Sequence, residues 1–209
     1  MKKERYSVIA DTSVLDVQNY ATFFYFKFKR EFFDLLSFIN EHNELSHIKI
    51  LIPRIVIEEL KNHQIEAYNR CLEKLKLEFN KVEKLPDFSQ KIPLIDFEKF
   101  LIDKINNFIG KYKISVIEIP EIDITPKLLD RALKKKKPFY KTGKTDSGFK
   151  DAVIWESILN YISKKQDENI IFWCKDNDFS HEFFVDEFKK VSKKSILIYK
   201  NAADIKAFL

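Results

Sequence analysis

The stretch Tyr6-Ser7-Val8-Ile9-Ala10-Asp11-Thr12-Ser13 decides how the rest of the sequence is interpreted. An apolar run of strand length ends there at a carboxylate, and two hydroxyl side chains follow it. In an open parallel sheet, ligands bind outside the carboxyl ends of the strands. The sequence therefore predicts that Asp11 lies at a ligand-binding edge, and other acids that follow strands or begin helices are candidates to join it.

The composition is typical of one folded domain. Of 209 residues, 45% are hydrophobic, 33% are charged and only 3 are glycine. No apolar stretch has the length of a membrane span, and the run behind the charged residues 1–5 is too short for a signal peptide, so we expect a cytoplasmic protein. Cys71 and Cys174 form neither a disulfide framework nor a zinc motif, and Cys174 is expected only to be buried. The net charge of +5 favours an anionic partner such as nucleic acid, but weakly.

Strands and helices alternate along the chain, which predicts an α/β fold: a three-layer α/β/α sandwich with a five-stranded parallel sheet. The predicted strands cover residues 6–10, 49–52, 115–119, 170–174 and 195–199. The main predicted helices cover residues 21–43, 54–85, 93–109, 149–163, 178–191 and 202–208, with another beginning at Thr125. Gly110 is expected to cap the end of the helix over residues 93–109.

The helix after the second strand carries two adjacent acids, and only one of them can face the sheet. Residues three and four apart share a helix face. Glu59 shares its face with the apolar Val56 and is therefore the inward acid. Glu58 is expected to pair at the surface with Arg54 or Lys61.

Asp151 begins the inward stripe of the helix over residues 149–163. The apolar members of that stripe are Ile154, Trp155, Ile158 and Ile162. The helix dipole favours a carboxylate at this end, but burial without a cation would be costly.

Two further acids follow the fourth strand. Asp176 is the first carboxylate after it, and Asp178 comes two residues later and is expected to cap the next helix or to be an additional metal ligand. Four carboxylates at one edge would repel one another unless a cation lies between them. Ligation by oxygen alone is typical of Mg²⁺ or Mn²⁺, so we predict such a site at Asp11, Glu59, Asp151 and Asp176.

These residues resemble the motifs of the PIN domain family of metal-dependent nucleases. Four pieces match in order, namely residues 8–13, 53–60, 148–156 and 174–179. The third piece, Gly148-Phe149-Lys150-Asp151-Ala152-Val153-Ile154-Trp155-Glu156, is most similar to a poorly characterised bacterial branch of PIN-like proteins. In that branch a basic stretch and a Pro-Phe pair precede the motif, as residues 134–139 do here.

The resemblance implies endonucleolytic hydrolysis of RNA, or less often DNA, with all four acids as catalytic metal ligands. Asp11 and Asp176 would hold one ion, and Glu59 and Asp151 a second. Residues 61–111 exceed a minimal PIN domain and predict a helical insertion within one domain. Many family members are toxins held by an antitoxin, so an antitoxin or a second copy of the chain is a candidate partner.

Side chains around these acids are candidate substrate contacts. Thr12 and Ser13 could orient Asp11 or bind a phosphate, with helix capping as the alternative. His63, one turn beyond Glu59, could orient that acid or be an ordinary helix histidine. Several lysines could neutralise backbone phosphates or only be solvated, namely Lys150, Lys141, Lys144 and residues 134–137.

Two other functions stay open at this point. A phosphatase could use Asp11 as its nucleophile, although Ser13 and Leu15 stand where the haloacid-dehalogenase pattern has Asp and Thr or Val. A non-catalytic module that binds nucleic acid or protein could keep the same fold.

Overall fold

The strands form one wholly parallel sheet in the order β3-β2-β1-β4-β5. The computed structural model describes residues 5–17, 26–42, 45, 47–84, 91–92, 94–121, 123–139, 148–180 and 182–209, without the side chains of Asp178 and Ser180. The strands are β1 (Arg5–Ala10), β2 (Lys49–Pro53), β3 (Ser115–Ile117), β4 (Glu168–Trp173) and β5 (Leu197–Tyr199). The helices are α1 (Thr12–Leu15), α2 (Arg30–Glu41), α3 (Arg54–Val82), α4 (Phe97–Lys111), α5 (Thr125–Leu133), α6 (Phe149–Lys164), α7 (Glu182–Ser192) and α8 (Ala202–Phe208), with a short 3₁₀ helix at Asn177–Ser180. The predicted α/β sandwich with a five-stranded parallel sheet is confirmed.

The first strand lies at the centre of the sheet, between β2 and β4. Its last residue, Ala10, is in register with Trp173, the last residue of β4, so the two strands end side by side. The strand order reverses between β1 and β4, because β2 and β3 extend the sheet on one side and β4 and β5 on the other. Such a switch point leaves a crevice at the carboxyl ends of the strands, where open α/β sheets bind their ligands.

Both central strands are buried. Strand β4 is apolar from Ile170 to Trp173, and none of these four side chains has exposed surface. A strand covered on both faces needs such a continuous apolar run. The pairing continues past the end of β1, where the Asp11 N–H donates to the carbonyl oxygen of Trp173 at 3.0 Å, so Asp11 lies beside the end of β4.

The helix predicted over residues 21–43 begins later than expected. α2 starts at Arg30, and residues 26–29 before it are not helical. Phe26 and Phe28 are buried there, and each packs edge-to-face against Phe108, with ring centroids 5.4 and 4.8 Å apart. Side chains two residues apart lie on the same side of an extended chain, so both rings can contact Phe108 from a non-helical segment. Residues 21–25 lie outside the described part of the chain.

The helix predicted over residues 93–109 also has different ends. α4 begins at Phe97, after Asp96, whose carboxylate accepts a hydrogen bond from the N–H of residue 99. Gly110 lies inside the helix, and its expected role as the cap is wrong. The chain leaves the helix at Lys113, whose φ of 51° is the left-handed conformation that glycine usually provides.

α3 and α4 together fill most of residues 61–111. α3 is one continuous helix of 29 residues, and Tyr68 on it stacks on Phe97 of α4 with ring centroids 4.1 Å apart. That this helix pair is an insertion into a smaller domain stays a prediction. Within the described ranges, no helix combines the length and apolar character needed to cross a membrane.

The turn before α6 depends on Gly148, the N-cap residue of that helix. Its φ is 93°, and a Cβ atom at this position would lie 2.3 Å from the carbonyl oxygen of Pro138. Only glycine therefore allows the turn that follows α5 to pack against the start of the helix that carries Asp151.

We expect Gly148→Ala to lower the free energy of unfolding by about 1–3 kcal/mol from the strained φ alone. The steric clash with Pro138 should add to this loss. Gly110→Ala is the matched control. It lies inside a helix with no atom within 4 Å of the added Cβ, and it should raise the same free energy by about 0.5–1 kcal/mol. Urea unfolding followed by circular dichroism measures both. Equal stability of Gly148→Ala and the wild type would show that the contact with Pro138 does not form.

Candidate active site

Asp11 is the first residue after β1 and is nearly buried, with 5% of its surface exposed. It caps α1 from an extended backbone conformation. Its Oδ2 atom accepts hydrogen bonds from the Ser13 N–H at 3.0 Å, the Ser13 hydroxyl at 2.7 Å and the Cys174 thiol at 3.3 Å. Burial raises the pKa of Asp11 from its ordinary value, and these hydrogen bonds oppose part of that rise.

Ser13 and Cys174 tie the end of β1 to the end of β4. The Ser13 hydroxyl, besides donating to Asp11, accepts a hydrogen bond from the Lys175 N–H at 3.0 Å. The Cys174 sulfur accepts one from the Asp176 N–H at 3.3 Å. Cys174 is buried, as predicted, but it also links the two acids that follow the central strands. The sequence carried no signal for this role beyond the position of the cysteine two residues before Asp176.

Glu59 lies on the second turn of α3 and turns inward. Its Oε2 accepts a hydrogen bond from the Thr12 hydroxyl at 2.6 Å, and its Oε1 accepts one from the Lys150 ammonium at 2.9 Å. The neighbouring Glu58 instead forms a 2.6 Å ion pair with Lys61, one of the two partners predicted for it. The choice of Glu59 as the inward acid is thereby supported by its contacts with residues after β1 and at the start of α6.

His63 lies between two acids. Its Nδ1 is 3.1 Å from Asp16 Oδ2, and its Nε2 is 4.0 Å from Glu59 Oε1. The closer contact is to Asp16, which the sequence analysis did not single out. A contact between α3 and the end of α1 cannot be read from helix periodicity.

Asp151 lies in the first turn of α6, where the burial of Ile154, Trp155, Ile158 and Ile162 confirms the predicted inward stripe. Among the described residues, no group donates a hydrogen bond to its carboxylate. Its pKa is raised to about 7, first by burial and then by the negative charges of Asp11, Asp176 and Glu59, while Lys150 opposes the rise. All three other predicted acids are therefore close enough for their charges to act on Asp151.

These four carboxylates are neighbours, but they do not yet form a coordination sphere. No three His, Cys, Asp or Glu side chains in the described part of the chain are arranged as ready ligands of one ion. The donor set still fits Mg²⁺ or Mn²⁺, because it is made of oxygen atoms and carries a repulsion that a divalent cation would relieve.

The predicted outer residues are only partly described. Asp178 lies in the 3₁₀ helix, but its side chain is outside the described structure, as are Lys141 and Lys144. In the basic run over residues 134–137, Lys134 and Lys136 both form ion pairs with Asp130. Part of the charge in that run is thus neutralised within the protein.

An open parallel sheet with acids gathered at its switch point defines a Rossmann-like α/β protein with an acidic site. A family model for the PIN domain matches residues 8–179, a span that includes all four acids. The chain belongs to the PIN domain family and has its nuclease-type fold. Comparisons with curated proteins and with solved structures gave no match.

The raised pKa of Asp151 predicts a pH-dependent stability in the presence of a chelator. The folded chain keeps the proton up to about pH 7, whereas the unfolded chain releases it near pH 3.8. The contribution of Asp151 to the free energy of unfolding is therefore fully present below about pH 4 and is lost as the pH rises to about 7. At about 1.4 kcal/mol per pKa unit, the loss is at most about 4 kcal/mol. Asp151→Asn should be more stable than the wild type at pH 8, and the difference should shrink by about half or more at pH 5.

Asp103→Asn is the control for this experiment, because Asp103 is exposed on α4 and its charge is not among those that raise the pKa of Asp151. Its effect on the unfolding midpoint should not change with pH. A stability difference between Asp151→Asn and the wild type that is the same at pH 5 and pH 8 would contradict the proposed burial of a repelled carboxylate.

Proposed function

We propose that this protein is a divalent-metal-dependent endonuclease that hydrolyses phosphodiester bonds in single-stranded RNA. The observation that carries the proposal is Asp151, a mostly buried acid whose pKa is raised first by its burial and then by the charges of three neighbouring acids. A buried carboxylate with a purely structural role would be expected to form an ion pair with a basic side chain. Strong perturbation by like charges in a crevice is typical of a functional site, and membership of the PIN domain family supports nuclease chemistry.

The proposed ion ligands are Asp11, Asp151 and Asp176, together with Glu59. A bound Mg²⁺ or Mn²⁺ would stabilise the negative charge that develops on the scissile phosphate and would lower the pKa of a water molecule. The chain's own contribution is to hold the carboxylates in place. Cys174 and Ser13 fix Asp11 relative to β4, and Thr12 fixes Glu59.

Thr12 and Ser13 act in this proposal as positioning residues. Both hydroxyls donate to carboxylates of the site, with donor–acceptor distances of 2.6 and 2.7 Å. The Ser13 bond supports its predicted role in orienting Asp11, whereas Thr12 donates to Glu59 instead of Asp11. The predicted helix cap is neither of them, because Asp11 is the N-cap of α1. In this proposal lysine side chains contact the phosphates of the RNA backbone, and the binding affinity from these contacts decreases as the salt concentration rises. The exposed Lys135 is a candidate, as are Lys141 and Lys144.

The direct test is cleavage of a fluorescent single-stranded RNA in Mn²⁺. The wild type should produce fragments with 5′-phosphate and 3′-hydroxyl ends, and EDTA should abolish cleavage. Asp11→Asn and Asp151→Asn should each reduce the rate by at least about 100-fold, because loss of an ion ligand removes several kcal/mol of transition-state stabilisation.

Asp103→Asn, purified in the same way, should cleave at the wild-type rate. Equal cleavage by the wild type and both site variants would assign the activity to a contaminant and overturn the proposal. Parallel reactions with single-stranded DNA and with a generic phosphate ester distinguish a deoxyribonuclease and a phosphatase from the proposed ribonuclease. The phosphatase gains no support from the site, since Ser13 stands in place of its second acid and donates to Asp11.

A further inference from the structure

Lys150 reaches from the start of α6 across to α3. Its ammonium lies 2.9 Å from Glu59 Oε1, and its side chain is 44% exposed while that of Glu59 is 17% exposed. Adjacent in sequence to Asp151, it brings a positive charge into the acidic site from the same helical turn. The sequence suggested a phosphate contact or a solvated lysine, and the ion pair with Glu59 is a third arrangement.

Glu59 thereby differs from Asp11 and Asp151. Both of its carboxylate oxygens already have a donor within the protein, Lys150 on Oε1 and the Thr12 hydroxyl on Oε2. Asp151 accepts no hydrogen bond from the described residues, and Asp11 accepts hydrogen bonds only from neutral groups among them. The positive charge that a divalent ion would bring to Glu59 is partly supplied by the chain itself.

We propose that the Lys150 ammonium takes the place of a second divalent ion beside Glu59, so that the site holds one tightly bound Mg²⁺ or Mn²⁺ among Asp11, Asp151 and Asp176. This inference rests on the proposed function and narrows it to a single tight ion. It replaces the expectation that Glu59 and Asp151 hold an ion of their own.

The reason is electrostatic. The four carboxylates carry four negative charges at most, so one divalent ion and one ammonium leave at most one of these charges uncompensated. A second divalent ion at Glu59 would lie next to the ammonium, and two like charges within a few ångströms repel strongly where water is partly excluded. The ion pair must therefore break before a second ion can bind.

The test counts Mn²⁺ ions by isothermal titration calorimetry. The wild type should bind one ion tightly, with any second ion much weaker. Lys150→Gln removes the ammonium and should tighten the second site by at least about tenfold, which is about 1.4 kcal/mol. Lys150→Arg keeps the charge and should bind Mn²⁺ as the wild type does.

Lys61→Gln is the matched control, because Lys61 also pairs with a glutamate of α3, at 2.6 Å from Glu58. It should leave both Mn²⁺ affinities unchanged. Thermal unfolding in EDTA checks that each variant is folded, which the half-exposed position of Lys150 favours.

Three results would overturn the inference while leaving the proposed function intact. They are two equally tight ions in the wild type, an unchanged second site in Lys150→Gln, or an equal gain in Lys150→Gln and Lys61→Gln. Failure of every folded variant to bind Mn²⁺ would instead reject the proposed metal-dependent function, and the inference with it.

Discussion

Repulsion between carboxylates at one edge of the sheet is the constraint on which the rest of this structure depends. Asp11 and Asp176 follow the two strands that meet at the switch point, and Glu59 and Asp151 come from helices that begin beside it. Burial raises the pKa of Asp151 to about 7, and the charges of the other three acids add to that rise. Such a group of like charges lowers stability at neutral pH unless a cation relieves the repulsion.

Glu156, a second acid on α6, is a buried carboxylate that has a cationic partner. Glu156 is only 3% exposed, and Arg131 of α5 donates to its Oε1 from both Nε and Nη2, at 3.0 and 2.9 Å. The same guanidinium reaches Glu187 of α7 at 2.6 Å. Glu156 thus has a buried cation, as a buried acid requires. Asp151, five residues earlier, is instead affected by the charges of three acids, which Lys150 only partly opposes. The contrast supports the proposal that Asp151 has a role in chemistry.

Some local features escaped the sequence analysis because they depend on contacts between distant segments. Phe28 and Phe32 have helical spacing, which predicts an earlier start of α2, whereas the contacts of Phe26 and Phe28 with Phe108 join segments that are distant in sequence. Lys113 adopts the left-handed conformation in which glycine is expected, and the prediction of Gly110 as the helix cap was therefore wrong. Nothing in the sequence indicates that the Cys174 thiol, directly after the neighbouring strand, donates to Asp11.

The sequence by itself determined the sheet, the order of its acids and the choice of Glu59 over Glu58, because these follow from apolar runs and from helix periodicity, which are local properties. It also pointed to the family, since four short motifs kept their order. Only the tertiary structure decided which groups neutralise those acids. The pairing of Lys150 with Glu59 and of Thr12 with the same carboxylate joins residues 47 or more positions apart. Such pairings arise from the packing of helices on the sheet, and no spacing along the chain encodes them.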